Sequence, residues 1–267
     1  MEKISDLLNL SDKTAIVTGG GAGIGFGIAL RLAEAGAKVA IATRNEIEGR
    51  RASKELVDRG LDAIDILTDV SIEENVRHMV EVTVEKFGSV DILVNNAGIY
   101  PEIPLRLMTL NDFQKVIAIN LNGVFLCTKY VSEQMIRQGS GGRIINITSI
   151  DALHPSSIGL AHYDASKHGV WGFTKNIALE LAPHKIWVNA IAPGGIMTPG
   201  VQKLQQSMPI PEGVDMQKVM ELFLEKIPMR RLGNPDDIAK VALFLASNMS
   251  SYMTGSQIVV DGGVLLM

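Results

Sequence analysis

Cysteine is nearly missing from this chain: Cys127 is alone among 267 residues. A single thiol excludes an intrachain disulfide framework and a thiolate metal centre, and it fits a reducing compartment. Cys127 itself reads as a small buried apolar residue. Runs of lysine and arginine are also missing, and the net charge is −4. Both argue against nucleic acid as the main partner. No uninterrupted apolar run approaches the ~18 residues that span a membrane, so no membrane partner is expected. Met1 to Asp12 alternates charged and apolar residues and lacks the apolar core of a signal peptide. The expected location is the cytoplasm. His78, His168 and His184 show no metal-ligand spacing with carboxylates, so no catalytic metal is expected. There is no internal repeat and no Ser/Gly/Pro linker.

What the chain does have is apolar residues in number. They make up 46% of it against 20% charged, enough for a large core. Strand-like and helix-like segments alternate throughout. Apolar strands are expected at Thr14 to Val17, Lys38 to Ala42, Ala63 to Leu67, Asp91 to Val94, Gly142 to Ile147, Lys185 to Ile191 and Gln257 to Val260. Helices are expected between them, including one long helix over Leu110 to Arg137 and another over His162 to Leu181. Strands separated by helices pair in parallel through right-handed crossovers. The expectation is an α/β fold: one doubly wound Rossmann-type domain over 1–267, with about seven parallel strands and helices on both faces. A proline-interrupted stretch, Pro199 to Met229, reads as an inserted loop that covers the substrate.

Ligands in such sheets bind at the carboxyl ends of the strands. The first strand ends in Thr18-Gly19-Gly20-Gly21-Ala22-Gly23-Ile24-Gly25, followed by a helix-forming run. Glycine lets the backbone turn sharply and approach a pyrophosphate, and a helix N-terminus presents open N–H groups to it. The spacing G-x-x-x-G-x-G differs from the literal G-x-G-x-x-G pattern, and alone it also fits a tight turn without a ligand. The second strand ends in Thr43-Arg44. An acidic residue there would bond a ribose 2′-hydroxyl and repel a 2′-phosphate, whereas a guanidinium pairs with phosphate through two hydrogen bonds. This favours NADP(H), with NAD(H) as the other candidate. The turn itself holds no Lys or Arg to assist.

Tyr163-Asp164-Ala165-Ser166-Lys167 sets a phenol and an ammonium at i and i+4, on one helical face. A free phenol, with pKa about 10, is a poor proton carrier near neutrality; a nearby cation lowers that value. Ser149 lies just past the fifth strand at the same rim. Asn120 is a polar residue inside an apolar helical stretch, and Asn95-Asn96-Ala97-Gly98 is a polar turn behind an apolar strand.

Thr-Gly-x-x-x-Gly-Ile-Gly at 18–25, Asn-Asn-Ala-Gly at 95–98, Asn120, Ser149, Tyr163-x-x-x-Lys167 and Pro193-Gly194 together resemble the short-chain dehydrogenase/reductase family in its roughly 250-residue form. The resemblance runs from Ser11 to Gly263. It implies that Tyr163 is the general acid for ketone reduction and the base for alcohol oxidation. It implies that Lys167 lowers the Tyr163 pKa and holds the nicotinamide ribose, that Ser149 bonds the substrate oxygen, and that Asn120 holds a water in a proton relay. For the cofactor it implies Gly19, Gly23, Ile24 and Gly25 at the pyrophosphate and Asp69 and Val70 at adenine. Asn96, Ala97 and Gly98 would line the dinucleotide, and Pro193, Gly194, Ile196 and Thr198 would hold the carboxamide. One departure is visible. The stretch between Ser149 and Tyr163 is one residue longer than usual, which bears on the shape of the substrate pocket.

The expected reaction interconverts a secondary alcohol and a ketone. Reduction of a 3-oxoacyl thioester is one version; oxidation of a sugar, polyol or cyclic alcohol is another. A non-catalytic dinucleotide-sensing scaffold would lack one of Ser149, Tyr163 and Lys167, and all three are present. The family and the apolar C-terminus, Val264-Leu265-Leu266-Met267, suggest a homotetramer. His154 and His162 flank the loop before Tyr163 and read first as solvent-facing or structural residues.

Overall fold

A computed structural model describes residues 3–201, 222 and 224–267. Seven strands form one parallel sheet in the order β3-β2-β1-β4-β5-β6-β7. They are β1 (Thr14–Thr18), β2 (Lys38–Thr43), β3 (Ala63–Leu67), β4 (Ile92–Asn95), β5 (Gly142–Ile147), β6 (Ile186–Pro193) and β7 (Gln257–Val260). The strand order reverses between β1 and β4, the switch point at which doubly wound folds open a crevice.

Alternate strand residues feed two cores, one on each face. Ala15 and Val17 of β1 join Ile28 and Leu32 of α2 (Gly23–Glu34) and Leu245 of α8 (Pro235–Ala246). Ile16 joins Met79 of α4 (Glu73–Phe87) and Val131 and Met135 of α6 (Gly123–Gln138) on the other face. Cys127 lies in this second core, fully buried, and burial pushes its thiol up to about 12. Helices on both faces explain why the strands read as continuous apolar runs.

Two strand starts differ from the sequence reading for local reasons. Asp91 precedes β4, because its carboxylate accepts from the Thr14 N–H at 3.0 Å and the Ser89 hydroxyl at 2.8 Å. Lys185 precedes β6, because its φ of +59° is left-handed and cannot continue a strand.

The expected single helix over Leu110 to Arg137 is three segments: α5 (Leu110–Ile117), a π-helical turn (Ala118–Asn122) and α6. The wide turn is pinned by Asn120. Its Oδ1 accepts from the Ile99 N–H and its Nδ2 donates to the Ile99 carbonyl, both at 2.9 Å. π turns of this kind concentrate at functional sites. Beneath the rim, a buried chain of side chains joins the helices to the sheet. Asn95 donates to Thr128 of α6 at 3.1 Å and to Asn146 of β5 at 2.8 Å, and Asn146 donates to Thr174 at 2.8 Å. Thr174 belongs to α7 (Ala161–Leu181), the helix that carries Tyr163 and Lys167. The expected insertion over 199–229 lies mostly outside the described residues.

Candidate active site

The glycine turn is built by close approach. Gly19 and Gly23 have φ of +64° and +56°, a region in which a Cβ is strained. A Cβ on Gly25 would collide with the Gly19 carbonyl oxygen and lie 2.5 Å from Asn96 Nδ2. The Thr18 hydroxyl donates to the Val94 carbonyl and accepts from the Asn96 and Ala97 N–H groups at 3.0 and 3.1 Å. Asn96 Nδ2 donates to the Thr18 and Gly19 carbonyls. The Asn96 carboxamide is therefore engaged as a brace between β4 and the turn. Helices α3 (Glu46–Asp58), α5 and α8 start on side-chain caps; α2 starts at Ala22 without one and has no acid in its first turn. Its first N–H groups and its positive dipole end stay open to an anion. A narrow cradle of this kind fits a dinucleotide pyrophosphate.

Around the rim, Arg44 is largely exposed, and its Nη1 stands 4.0 Å from Asp69 Oδ2. The other Asp69 oxygen accepts from the Ser71 N–H and hydroxyl. The Thr43 hydroxyl accepts from the Asn45 N–H. Val70 is buried against Gly123, at the start of α6. Arg44, Gly98, Ile99 and Tyr100 line a cavity of about 440 Å³. Arg51, which the sequence reading passed over, donates from Nη2 to the Gly21 carbonyl at 3.0 Å. Its signal was available: a cation in the helix after β2, facing the glycines.

On the far side, a Cβ on Gly194 would lie 2.7 Å from Asp261 Cα. Pro193 closes β6. Ile196 is buried and pairs with Gly233 as an isolated parallel bridge, so its side chain belongs to the core. Thr198 Cγ2 would stand 3.3 Å from a Cβ on Gly23. The loop after β6 thus reaches back to the glycine turn.

The polar centre lies between these two sides. Lys167 is buried, and its Nζ donates to the Ile147 carbonyl at 2.8 Å and stands 5.6 Å from the centre of the Tyr163 ring. Burial holds its pKa down at about 8, against which the Asp151 charge acts. Burial also raises the Tyr163 pKa above its ordinary value; the Ser149 hydroxyl works in the opposite direction, and the charges of Asp151 and Asp164 add to the rise. Burial is the leading cause of that rise in the free protein. Asn120 Nδ2 donates to the Ser166 hydroxyl at 3.1 Å, and Ser166 donates to the Tyr163 carbonyl at 2.6 Å. Asn120, Ser149, Tyr163 and Lys167 are thereby brought to one place.

Two neighbours were not singled out from sequence. Tyr100 packs edge-on against Tyr163, with centroids 6.1 Å apart. Asp151, two residues after Ser149, is buried and accepts from the Ser149 hydroxyl at 2.7 Å. His162 is fully buried beside Tyr163, and neither ring nitrogen has a partner among the described residues. His154 is exposed and lines a cavity of about 350 Å³ with Ile150, Leu153 and the C-terminal Val264, Leu265 and Met267. No helix among the described residues is long and apolar enough to cross a membrane.

Fold and site together define a dinucleotide-binding α/β protein with a Ser–Tyr–Lys polar centre. A family model described as Enoyl-(Acyl carrier protein) reductase matches residues 19–265. The chain belongs to the short-chain dehydrogenase/reductase family, and it is an oxidoreductase that works with a pyridine dinucleotide. It is similar to short chain dehydrogenase/reductase astE of Aspergillus oryzae, 42% identical over 97% of each chain. It is also similar to a 3-oxoacyl-[acyl-carrier-protein] reductase of Synechocystis, 40% identical over 96% of this chain and 98% of that one. Among solved structures, a short-chain type dehydrogenase/reductase from Mycobacterium marinum superposes with a TM-score of 0.90. It is 38% identical over 98% of this chain and 99% of that one.

Proposed function

We propose that the whole chain acts as one catalytic unit that interconverts a secondary alcohol and a ketone, with Tyr163 as the proton-transfer group. The observation that carries this reading is the convergence of Ser149, Tyr163 and Lys167 on one corner at the strand ends, beside the glycine cradle. Gly19, Gly23, Ile24 and Gly25 cradle the pyrophosphate. Asp69 and Val70 border the adenine; Asn96, Ala97 and Gly98 form the floor; Pro193, Gly194, Ile196 and Thr198 form the wall at the nicotinamide. When bound, the dinucleotide supplies or takes the hydride.

The residues of this chain do the rest. Ser149 donates a hydrogen bond to the substrate oxygen. Tyr163 gives that oxygen a proton during reduction and removes one during oxidation. Its raised pKa in the free protein makes the phenol a stable acid; a catalytic acid needs a value nearer the working pH, so binding has to supply the lowering. Lys167, buried and one helical turn away, is the cation placed to do so together with its hold on the ribose. Asn120 positions the Ile99 backbone and, through Ser166, the Tyr163 carbonyl, and it holds the water of the relay.

Preference for NADP(H) over NAD(H) rests on Arg44 and the absence of a carboxylate at Thr43, and Arg51 adds a second guanidinium near the turn. A small-molecule substrate, a cytoplasmic location and a substrate-covering insertion at about 199–229 belong to the same reading. So does a homotetramer, which would cover exposed apolar residues such as Leu179, Leu266 and Met267; light scattering giving one chain mass per particle would reject it.

The test is Tyr163→Phe. Turnover of a ketone panel should fall by about 10²–10⁴, the range for a lost general acid, while dinucleotide binding by fluorescence titration stays. Turnover that survives removes Tyr163 from the reaction.

A further inference from the structure

A hydroxyl has one proton to donate, and in this structure Asp151 and the Tyr163 oxygen both draw on the Ser149 proton, with Asp151 the partner at hydrogen-bond distance. Ser149 Oγ donates to Asp151 Oδ2 at 2.7 Å and accepts from the Asp151 N–H at 3.1 Å. The carboxylate is itself fixed, because Oδ1 accepts from the Ser156 N–H at 2.9 Å. Asp151 is 6% exposed, so water does not readily replace a lost partner.

This arrangement handicaps a plain ketone. Its oxygen is an acceptor that becomes negative as the hydride arrives. It meets a serine whose proton points elsewhere, beside a buried negative charge that also opposes ionisation of Tyr163. Nearby, Asp164 Oδ1 is enclosed without a hydrogen-bond partner among the described residues, and the Asp151 charge reaches this carboxyl too.

Resting on the proposed alcohol–ketone reaction, we infer that Asp151 is a specificity-determining residue that selects substrates carrying a hydroxyl on the carbon next to the reacting one. These are vicinal diols and α-hydroxy ketones. The neighbouring hydroxyl donates to the Asp151 carboxylate in place of Ser149. The serine proton is thereby released to the reacting oxygen. The geometry allows it. An oxygen bonded to Ser149 lies two hydrogen bonds from Asp151, roughly 5 Å or less, and the second oxygen of a vicinal pair bridges that gap. A 3-oxoacyl thioester brings no such donor.

The experiment compares acetoin with butanone in the wild type and in Asp151→Asn. An α-hydroxyl also activates a ketone chemically, so the change in the kcat/KM ratio between the two proteins is the decisive quantity. Asparagine keeps an acceptor for the Ser156 N–H, and its amide can donate to Ser149. The acetoin-to-butanone ratio should fall by about tenfold or more, as for loss of one hydrogen bond to a charged group. Asp151→Ser should show the same fall in ratio, and dinucleotide binding shows that each variant is folded. An equal loss on both substrates, with the ratio unchanged, would overturn the inference and leave Asp151 as a clamp on the 151–156 turn. Calorimetry separates this from the reaction itself. Butane-2,3-diol should bind the wild type with oxidised cofactor more tightly than butan-2-ol does, and Asp151→Asn should abolish the difference. Diol preference without any turnover would sink the proposed reaction alone; no diol preference would sink the inference alone.

Discussion

The glycine turn at Thr18 to Gly25 and the polar turn at Ser149 to Ser156 lie on the same rim, but they are held in different ways. The first is fixed by exclusion: Gly25 has no room for a Cβ, Gly19 and Gly23 have left-handed backbones, and Asn96 ties the turn to β4. The second is fixed by proton allocation among Ser149, Asp151 and Ser156. Steric exclusion tolerates almost no change of residue and has one solution. Hydrogen bonds between side chains can exchange partners when a ligand brings its own. The glycine turn is accordingly a rigid mould, and the Ser149 turn is a set of exchangeable contacts.

The contrast can be broken most severely at Gly25. Gly25→Ala should abolish measurable dinucleotide binding in a fluorescence titration and destabilise the fold by about 1–3 kcal/mol, the range for overpacking. A variant that binds normally would show the mould to be soft. Arg44 should behave in a graded way, because it is exposed and meets Asp69 only at 4.0 Å. Arg44→Asp should shift the NADP(H)-to-NAD(H) ratio of kcat/KM toward NAD(H) by about ten- to a hundredfold, as for one charge-assisted contact. An unchanged ratio would count against NADP(H) selection at this rim.

The smallest effect concerns Lys167 in the absence of cofactor. Burial holds its folded pKa at about 8, below the ordinary lysine value of 10.5. Below pH 8 both states are protonated and the burial penalty is present in full. Between about 8 and 10.5 the unfolded chain binds more protons than the folded one, so stability rises with pH relative to a chain lacking this group. The stability difference between Lys167→Met and wild type should therefore move in favour of wild type between pH 7 and pH 10, read from urea midpoints. A difference that ignores pH would place the ammonium in solvent.

Much of the fold could be read from sequence, because both faces of the sheet are covered and its strands are apolar throughout. β3, β5 and β7 have the expected bounds, and the i, i+4 spacing put Tyr163 and Lys167 on one face. What could not be read depends on partners distant in the chain. Ile117 to Asn122 has ordinary helical apolar spacing, and the π turn arises only because Asn120 bonds Ile99, 21 residues away. Asn96 was expected to line the cofactor, yet its amide braces Thr18 and Gly19, across 77 or 78 positions. The hold of Asp151 on Ser149 is local in sequence, but it exists only once the turn after β5 has folded back.

The π turn also ties chain length to orientation. Each α-helical residue turns the chain by about 100°, and a π turn stores one residue more than the α turns around it. The π turn takes up that residue by turning less per residue, so removing the exposed Asn122 would let the segment wind as plain α-helix with α5 and α6 still in phase, and only the residues inside the turn would change the face they present. The helix would lose no apolar residue and no helical propensity, yet Asn120 would no longer face Ile99. A deletion that looks silent in composition would thus act as a rivet pulled, leaving the helices in line and freeing the backbone under Tyr163.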